Sequence, residues 1–205
     1  LESFIDELAH AAGKDPLEFR RGLTDRPDSL AVLAKLEKMS NWHAKLPPGQ
    51  GRGLSLVDNH GAIGGHIAEV SVDSQGAVRV TRVFAATDAY HVVNPNLVEA
   101  QIEGGVIFGL TAMLYGEVTI QDGAPQQSNF DSYRMVRLAD APDVKVELAL
   151  TGGVNDAGKP KWGGVGECSV APIAAAVSNA IFNATGKRIR SLPFKNIKLT
   201  QLTSL

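Results

Sequence analysis

A glycine-rich stretch that ends in a carboxylate is the segment of this sequence best suited to chemistry. It reads Lys-Trp-Gly-Gly-Val-Gly-Glu over residues 161–167, and the sequence predicts an alanine-rich helix directly after it, over roughly Ser169–Thr185. Glycines let a backbone approach a bulky ligand closely and adopt positive φ angles. A helix N-terminus presents unpaired N–H groups and a partial positive charge, which suits an anionic cofactor such as a pyrophosphate or a dithiolene.

Glu167 would lie in the first turn of that helix, and two interpretations follow. In the first, the glycines hold a cofactor that performs the difficult chemistry, and the Glu167 carboxylate is the base beside it. In the second, the loop is only a turn, and Glu167 complements the positive end of the helix dipole. The residue types alone leave both interpretations open.

Side chains that bind metals are sparse in this sequence. His60 and His66 are six residues apart, which on one strand face would separate them by roughly 20 Å, and the other three histidines stand alone. Cys168 is the single cysteine, so the chain cannot form an internal disulfide, a cysteine-based zinc site or an iron–sulfur site. We therefore predict no metal site built from protein ligands.

Composition restricts the class of protein further. The chain has 205 residues, 44% of them hydrophobic, which is enough for one core and a small helical appendage. Its net charge of −2 gives no basic surface for nucleic acid. No apolar run approaches the roughly 20 residues of a membrane span, so we expect none. No signal peptide is visible, and the compartment is not readable.

The first 45 residues carry the apolar spacing of three short helices. Asp15 followed by Pro16 predicts the start of the second helix, as an N-cap residue with proline in the first helical position. A proline- and glycine-rich linker over residues 46–51 marks the expected boundary with a domain spanning 46–205. We expect the helical segment to pack on or beside that domain, with four side chains buried: Phe4, Leu8, Leu33 and Leu36.

Residues 46–205 alternate between short β-branched strands and two long helices. A turn over Asp73–Gly76 predicts a hairpin, and Asn94-Pro95 predicts the start of a helix over about 97–114. We predict strands near 54–57, 66–72, 78–87, 117–121, 145–151 and 197–199. This pattern predicts an α+β fold, a two-layer domain with a mixed sheet and helices on one face, preceded by the short helical segment.

Further landmarks occur in a characteristic order along the chain. They are residues 2–9 (ESFIDELA), 13–20 (GKDPLEFR), 51–53 (GRG), 68–72 (AEVSV), 94–95 (NP), 101–105 (QIEGG), 129–134 (NFDSYR), 163–167 (GGVGE) and 184–193 (ATGKRIRSLP). Together they resemble the C-terminal portion of the molybdopterin-binding subunit of the xanthine dehydrogenase/aldehyde oxidase family, most closely its isoquinoline 1-oxidoreductase beta-subunit branch. There are two departures: Cys168 stands where the family commonly has proline, and Ala89-Tyr90 where Cys-Gly is frequent.

The resemblance implies roles for particular residues. Glu167 would be the catalytic base, and Gln101, Gly163, Gly164, Val165 and Gly166 would bind the cofactor, whose dithiolene rather than the protein holds the molybdenum. An exposed helix glutamine and a tight turn needed only for packing are the alternatives for Gln101 and the glycines. Glu103 would be structural. Three glycines would pack this helix closely against the sheet: Gly104, Gly105 and Gly109.

The resemblance also implies a function. The chain would be the C-terminal part of the catalytic subunit of a molybdenum hydroxylase that oxidises an N-heteroaromatic (isoquinoline-like) or aldehyde substrate with water-derived oxygen. Its cofactor would be molybdenum–molybdopterin in the cytosine dinucleotide form, and its partners the remainder of the molybdenum subunit and an iron–sulfur (2Fe-2S) subunit. We expect this portion alone to bind no cofactor and to be inactive. The resemblance favours the periplasm over the cytoplasm. The alternative is a stand-alone, non-catalytic binding module that kept the fold.

Overall fold

Eleven helices and strands make up the part of the chain that the computed structural model describes, residues 1–201. In chain order they are α1 (Glu2–Ala11), α2 (Pro16–Arg21), α3 (Pro27–Ser40), β1 (Gln50–Asn59), β2 (Ala62–Val72), β3 (Val78–Asp88), α4 (Pro95–Tyr115), β4 (Ile120–Gln121), β5 (Ala124–Pro125), β6 (Asp143–Leu148) and α5 (Ala171–Thr185). Residues 202–205 of the expected 46–205 domain lie outside the described residues.

The central sheet has the strand order β1–β2–β3–β6 and is mixed, because β6 runs parallel to β3 while the other pairs are antiparallel. A two-residue turn joins β1 to β2, and both of its residues, His60 and Gly61, have positive φ angles, of 52° and 73°. Such turns match the twist of a hairpin. The predicted turn after β2 is confirmed: the Asp73 carboxylate accepts hydrogen bonds from the N–H groups of Gln75 and Ala77.

Helices α4 and α5 cover one face of this sheet and form the larger core with it. Two glycines of β1 allow α5 to lie directly on the sheet, because a Cβ at Gly51 or Gly53 would come within 2.1 or 2.2 Å of the α5 backbone. Fully buried apolar side chains fill the layer between them, and burial of each valine or isoleucine stabilises the fold by about 1.5–3 kcal/mol. They include Ala68, Val83, Ile102, Val106, Ile173 and Val177.

The opposite face of the sheet is covered by helices α2 and α3. Leu17 of α2 and Leu33 and Leu36 of α3 are fully buried, in a second core with side chains of β1, β2 and β3. The α+β class, with a mixed sheet, is confirmed. The helical segment gives that sheet a third layer, which the sequence did not predict.

Helix α1 buries different residues from those predicted. Phe4 and Leu8 are 58% and 43% exposed, so their assignment to the core was wrong. The buried side chains of α1 include two carboxylates instead, because each has a cationic partner: Glu2 accepts a hydrogen bond from Arg20 at 3.0 Å and Asp6 one from Arg188 at 2.7 Å. Paired burial of this kind compensates for the cost of removing the charges from water.

Some predicted boundaries were also wrong. The expected strand near 197–199 is absent from the described residues, where short 3₁₀ turns occupy Phe194–Asn196 and Leu199–Gln201. The expected strand at 117–121 is reduced to the two residues of β4. Helix α5 begins at Ala171 rather than Ser169, because the preceding residues form a separate turn.

Helix α4 is longer and more apolar than predicted from the sequence. Its 21 residues meet the length and composition of a membrane-crossing helix, so the statement that no apolar run approaches that length was wrong. One side of α4 contributes Ile102, Val106 and Leu110 to the core, while Leu97 and Phe108 on other sides are exposed. Because buried core helices meet the same criterion, this property is only weak support for a membrane span.

Candidate functional site

The glycine-rich loop lies on the turn between β1 and β2. The N–H of Gly164 donates to the His60 carbonyl at 3.0 Å, and the N–H of Gly163 donates to the Ala89 carbonyl at 3.1 Å. A Cβ at Gly163 would lie 2.8 Å from the Ala62 Cβ, and one at Gly164 would lie 3.2 Å from the His60 Cβ. Neither glycine, nor Gly166, has a positive φ angle. Gly163 and Gly164 are therefore needed for close approach to the hairpin. They are not needed for the positive φ angles that the sequence suggested.

Gly166 differs from the other glycines of the loop because it faces open space. A Cβ added there would meet no atom within 4 Å. Its carbonyl oxygen lies 3.5 Å from Nε2 of Gln101, at the outer limit of hydrogen bonding, and both residues are exposed. Within the described residues, the N–H groups of Val165, Gly166 and Glu167 donate to no backbone carbonyl. The fold thus brings Gln101 to the loop.

Val165 is the residue that ties this loop to the core. Its side chain is partly buried and packs against the cluster between the sheet and helices α4 and α5. Beyond the loop, a Cβ at Gly64 would lie 2.0 Å from the Cys168 carbonyl oxygen, and one at Gly105 would lie 1.9 Å from the Ser169 Oγ. Gly64 of β2 and Gly105 of α4 therefore leave the space that the turn leading into α5 occupies.

The glycines of α4 do not all act as the sequence predicted. Gly105 and Gly109 make close approaches to residues 169–173 at the start of α5 rather than to the sheet, and Gly104 is exposed with nothing within 4 Å of a Cβ. Close packing was therefore predicted correctly for Gly105 and Gly109, but the partner is the start of α5 and not the sheet. For Gly104 the prediction of close packing was wrong. Glu103 is exposed on the same helix.

Glu167 lies just before α5 and not in its first turn. Its carbonyl oxygen accepts the N–H groups of Val170 and Ala171, which fixes the turn that precedes the helix. Its carboxylate is 64% exposed, and Oε2 lies 3.2 Å from Nδ1 of His60, whose side chain is equally exposed. Glu167, Gln101 and Gly166 are thus all exposed, and the Gln101 amide lies 3.5 Å from the carbonyl of the residue before Glu167.

Tyr90 stabilises the chain next to this loop, a role that was not predicted from the sequence. Its φ angle is +65°, which is uncommon for an aromatic residue. The Tyr90 hydroxyl donates to Asp28 at 2.8 Å, and Nζ of Lys161 lies 3.7 Å from the ring centroid. Burial would raise the pKa of Asp28, but hydrogen bonds from Arg26, Tyr90 and the Ser29 N–H together outweigh burial and hold that pKa well below its usual range.

Two buried polar residues lie beneath the start of α5. His66 is fully buried in β2, where burial lowers the pKa of its imidazole to about 3, so the ring is neutral. Opposite it in β1, the Ser55 hydroxyl donates to the Pro172 carbonyl of α5 at 2.7 Å. Burial raises the pKa of the Cys168 thiol. A buried, protonated thiol of this kind is unreactive.

One cluster among the described residues has side chains spaced for a metal ion. Ligand atoms of Glu18, Glu37 and His43 lie within 4.8 Å of one another. Arg21, however, donates to both carboxylates at 2.6 Å. The guanidinium therefore supplies the positive charge at this position, and the cluster is an ion-pair network.

Known proteins match the chain along most of its length. A family model described as the molybdopterin cofactor-binding domain matches residues 6–142. The isoquinoline 1-oxidoreductase subunit beta of Brevundimonas diminuta is 33% identical over 95% of this chain and 25% of its own length. The membrane-bound aldehyde dehydrogenase (pyrroloquinoline-quinone) of Gluconacetobacter polyoxogenes is 32% identical over 95% of this chain and 27% of its own.

A solved structure supports the same relationship. Quinoline 2-oxidoreductase from Pseudomonas putida 86 superposes with a TM-score of 0.60 and 28% sequence identity, over 69% of this chain and 19% of that one. The chain thus spans about a quarter or less of the length of these proteins. The family match ends at residue 142, ahead of the 163–167 loop.

Proposed function

The chain belongs to the molybdopterin cofactor-binding domain family, and on this basis we propose that it is the C-terminal part of the catalytic subunit of a molybdenum hydroxylase. Its substrate would be an N-heteroaromatic or an aldehyde, and Glu167 would be the general base. We further propose the division of the chain into a helical segment, residues 1–45, and a cofactor-binding domain from residue 46 onward. The observation that carries the proposal is the grouping of Glu167, Gln101 and Gly166 on one exposed surface.

The residues of this surface fit a molybdopterin cofactor. The Gln101 amide can donate and accept hydrogen bonds, which suits the polar atoms of a pterin. The N–H groups of Val165, Gly166 and Glu167 offer further donors, and the missing side chain at Gly166 leaves room for a bulky group. When bound, the cofactor would supply the two-electron oxidation of the substrate.

Glu167 would contribute the proton transfer. Its carboxylate is exposed and belongs to the residue directly after Gly166, so we expect it to be accessible to a substrate bound there. The backbone around it is well fixed, because its carbonyl caps the turn before α5 and Gly164 is hydrogen-bonded to the hairpin. A positioned general base contributes typically about 10²–10⁴-fold to a rate.

Other parts of the enzyme would come from outside this chain. Because the relatives are roughly four times longer, we propose that the remainder of the molybdenum subunit supplies the other wall of the site. An iron–sulfur (2Fe-2S) subunit would take the electrons, and the cofactor would be the cytosine dinucleotide form. This chain alone would then be inactive. The quinone in the name of one relative belongs to that protein; the family match favours molybdopterin here.

The decisive experiment replaces Glu167 with glutamine in the complete enzyme. Glu167→Gln keeps the size of the side chain and its hydrogen bonds but removes the proton acceptor, so kcat should fall about 10²–10⁴-fold at unchanged molybdenum content. Glu103→Gln, an exposed glutamate of α4, is the matched control and should leave kcat within about twofold. Retention of kcat in Glu167→Gln would show that Glu167 is not the base of the reaction.

A further inference from the structure

His60 and Glu167 are brought together by backbone contacts as well as by their side chains. The two-residue turn between β1 and β2 fixes His60 at a φ angle of +52°. The carbonyl of that same residue accepts the Gly164 N–H at 3.0 Å. Because Gly164 has no side chain, its Cα lies against His60, where a Cβ would be 3.2 Å from the His60 Cβ. The turn that carries His60 is therefore attached to the loop that carries Glu167.

The contact between the two side chains requires a particular protonation of the His60 ring. Nδ1 of His60 lies 3.2 Å from Oε2 of Glu167. A carboxylate only accepts hydrogen bonds, so the imidazole must carry a proton on Nδ1 for the contact to be attractive. In a neutral histidine, the partner of one ring nitrogen decides which nitrogen holds the proton. Glu167 would thus select the Nδ1–H tautomer of His60.

We infer that His60 is the positioning residue of Glu167: its Nδ1–H holds Oε2 and leaves the second carboxylate oxygen to accept the proton. This inference rests on the proposed function for the role of Glu167, but not for the contact itself. The reason is that the Glu167 side chain is largely exposed and would otherwise sample several rotamers. A contact from the hairpin at Oε2, 3.2 Å from Nδ1 of His60, would restrict those rotamers.

The tautomer of His60 tests the contact without any turnover. In this chain, free of cofactor and labelled with ¹⁵N-histidine, we expect the neutral form of His60 to carry its proton on Nδ1. Glu167→Ala should move that proton to Nε2, and Glu103→Ala, the control, should not. Loss of one signal set in His60→Asn assigns the resonance. An Nε2–H tautomer in the unmodified chain, or an Nδ1–H tautomer that persists in Glu167→Ala, would overturn the inference.

Kinetics of the complete enzyme test the positioning role. His60→Gly keeps the positive φ angle of the turn but removes the donor, so kcat should fall about tenfold with little change in KM. His60→Asn tolerates the same backbone and keeps a side-chain N–H, so it should recover most of the loss. Equal losses in both variants, or an unchanged kcat in His60→Gly, would refute positioning. Failure of the proposed function is distinguishable, since Glu167→Gln would then keep its kcat whatever the tautomer result.

Discussion

Replacing His66 with leucine should remove an acid-sensitive part of the stability of this fold. His66 is fully buried in β2, and within the described residues neither ring nitrogen has a hydrogen-bond partner. Burial lowers the pKa of the imidazole from 6.5 to about 3. The folded protein therefore keeps this ring neutral over a pH range in which the unfolded chain takes up a proton.

The sign and size of the effect follow from these two pKa values. Stabilisation from a neutral His66 is fully present above pH 6.5, and it is lost progressively as the pH falls from 6.5 toward about 3. Within that window each pH unit reduces the free energy of unfolding by up to about 1.4 kcal/mol. Between pH 8 and pH 5, the contribution of His66 should therefore fall by about 2 kcal/mol.

Urea unfolding at pH 8, 6.5 and 5 measures this contribution. The quantity of interest is the difference in free energy of unfolding between the wild-type protein and His66→Leu at each pH. The other four histidines are present in both proteins, so their own titrations cancel in that difference. The variant should gain about 2 kcal/mol relative to the wild type between pH 8 and pH 5. This comparison does not require the variant to have the same stability at pH 8.

A difference that stays constant within about 0.5 kcal/mol over this range would refute the reasoning. It would mean that His66 takes up its proton equally in the folded and unfolded states. The buried ring would then have a partner that stabilises its charged form.

Further predictions concern the packing of two glycines, the hydrogen bond between Tyr90 and Asp28, and the cofactor. Gly64→Ala should destabilise the protein by about 1–3 kcal/mol or more, since its Cβ would lie 2.0 Å from the Cys168 carbonyl oxygen. Gly104→Ala, with open space around it, should instead stabilise α4 by about 0.5–1 kcal/mol. Thermal unfolding of the two variants checks both predictions. Tyr90→Phe should lower the free energy of unfolding by about 1.5–3 kcal/mol through loss of the hydrogen bond to Asp28. A double-mutant cycle with Asp28→Ala would show no coupling if that bond contributes nothing. This chain purified alone should contain essentially no molybdenum, and metal analysis finding near-stoichiometric molybdenum would contradict that expectation.

Local signals in the sequence were sufficient for the ends of several elements. The Asp15 carboxylate accepts hydrogen bonds from the N–H groups at the start of α2, and Asn94 does the same at the start of α4. The turn at Asp73 is built in the same way. These interactions join residues only two to four positions apart, so residue type and spacing are enough to predict them.

Burial of the N-terminal helices was harder to predict. Helical spacing identified an apolar face on α1, yet Phe4 and Leu8 remain largely exposed while Glu2 and Asp6 are buried. The reason lies in partners from distant parts of the chain, Arg20 and Arg188. Periodicity shows which side chains could be buried together. Only the tertiary structure decides which of them find a surface or an opposite charge.

For the candidate site, the sequence by itself determined the residue types: a glycine-rich loop, a carboxylate at its end and an amide on α4. The tertiary structure decided what each position does. It places Gly163 and Gly164 against the β1–β2 turn, leaves Gly166 open, and brings His60 to within 3.2 Å of Glu167. None of these relations could be read from spacing, because they depend on how α5 and the hairpin pack across the same sheet edge and not on interactions between neighbours in the chain.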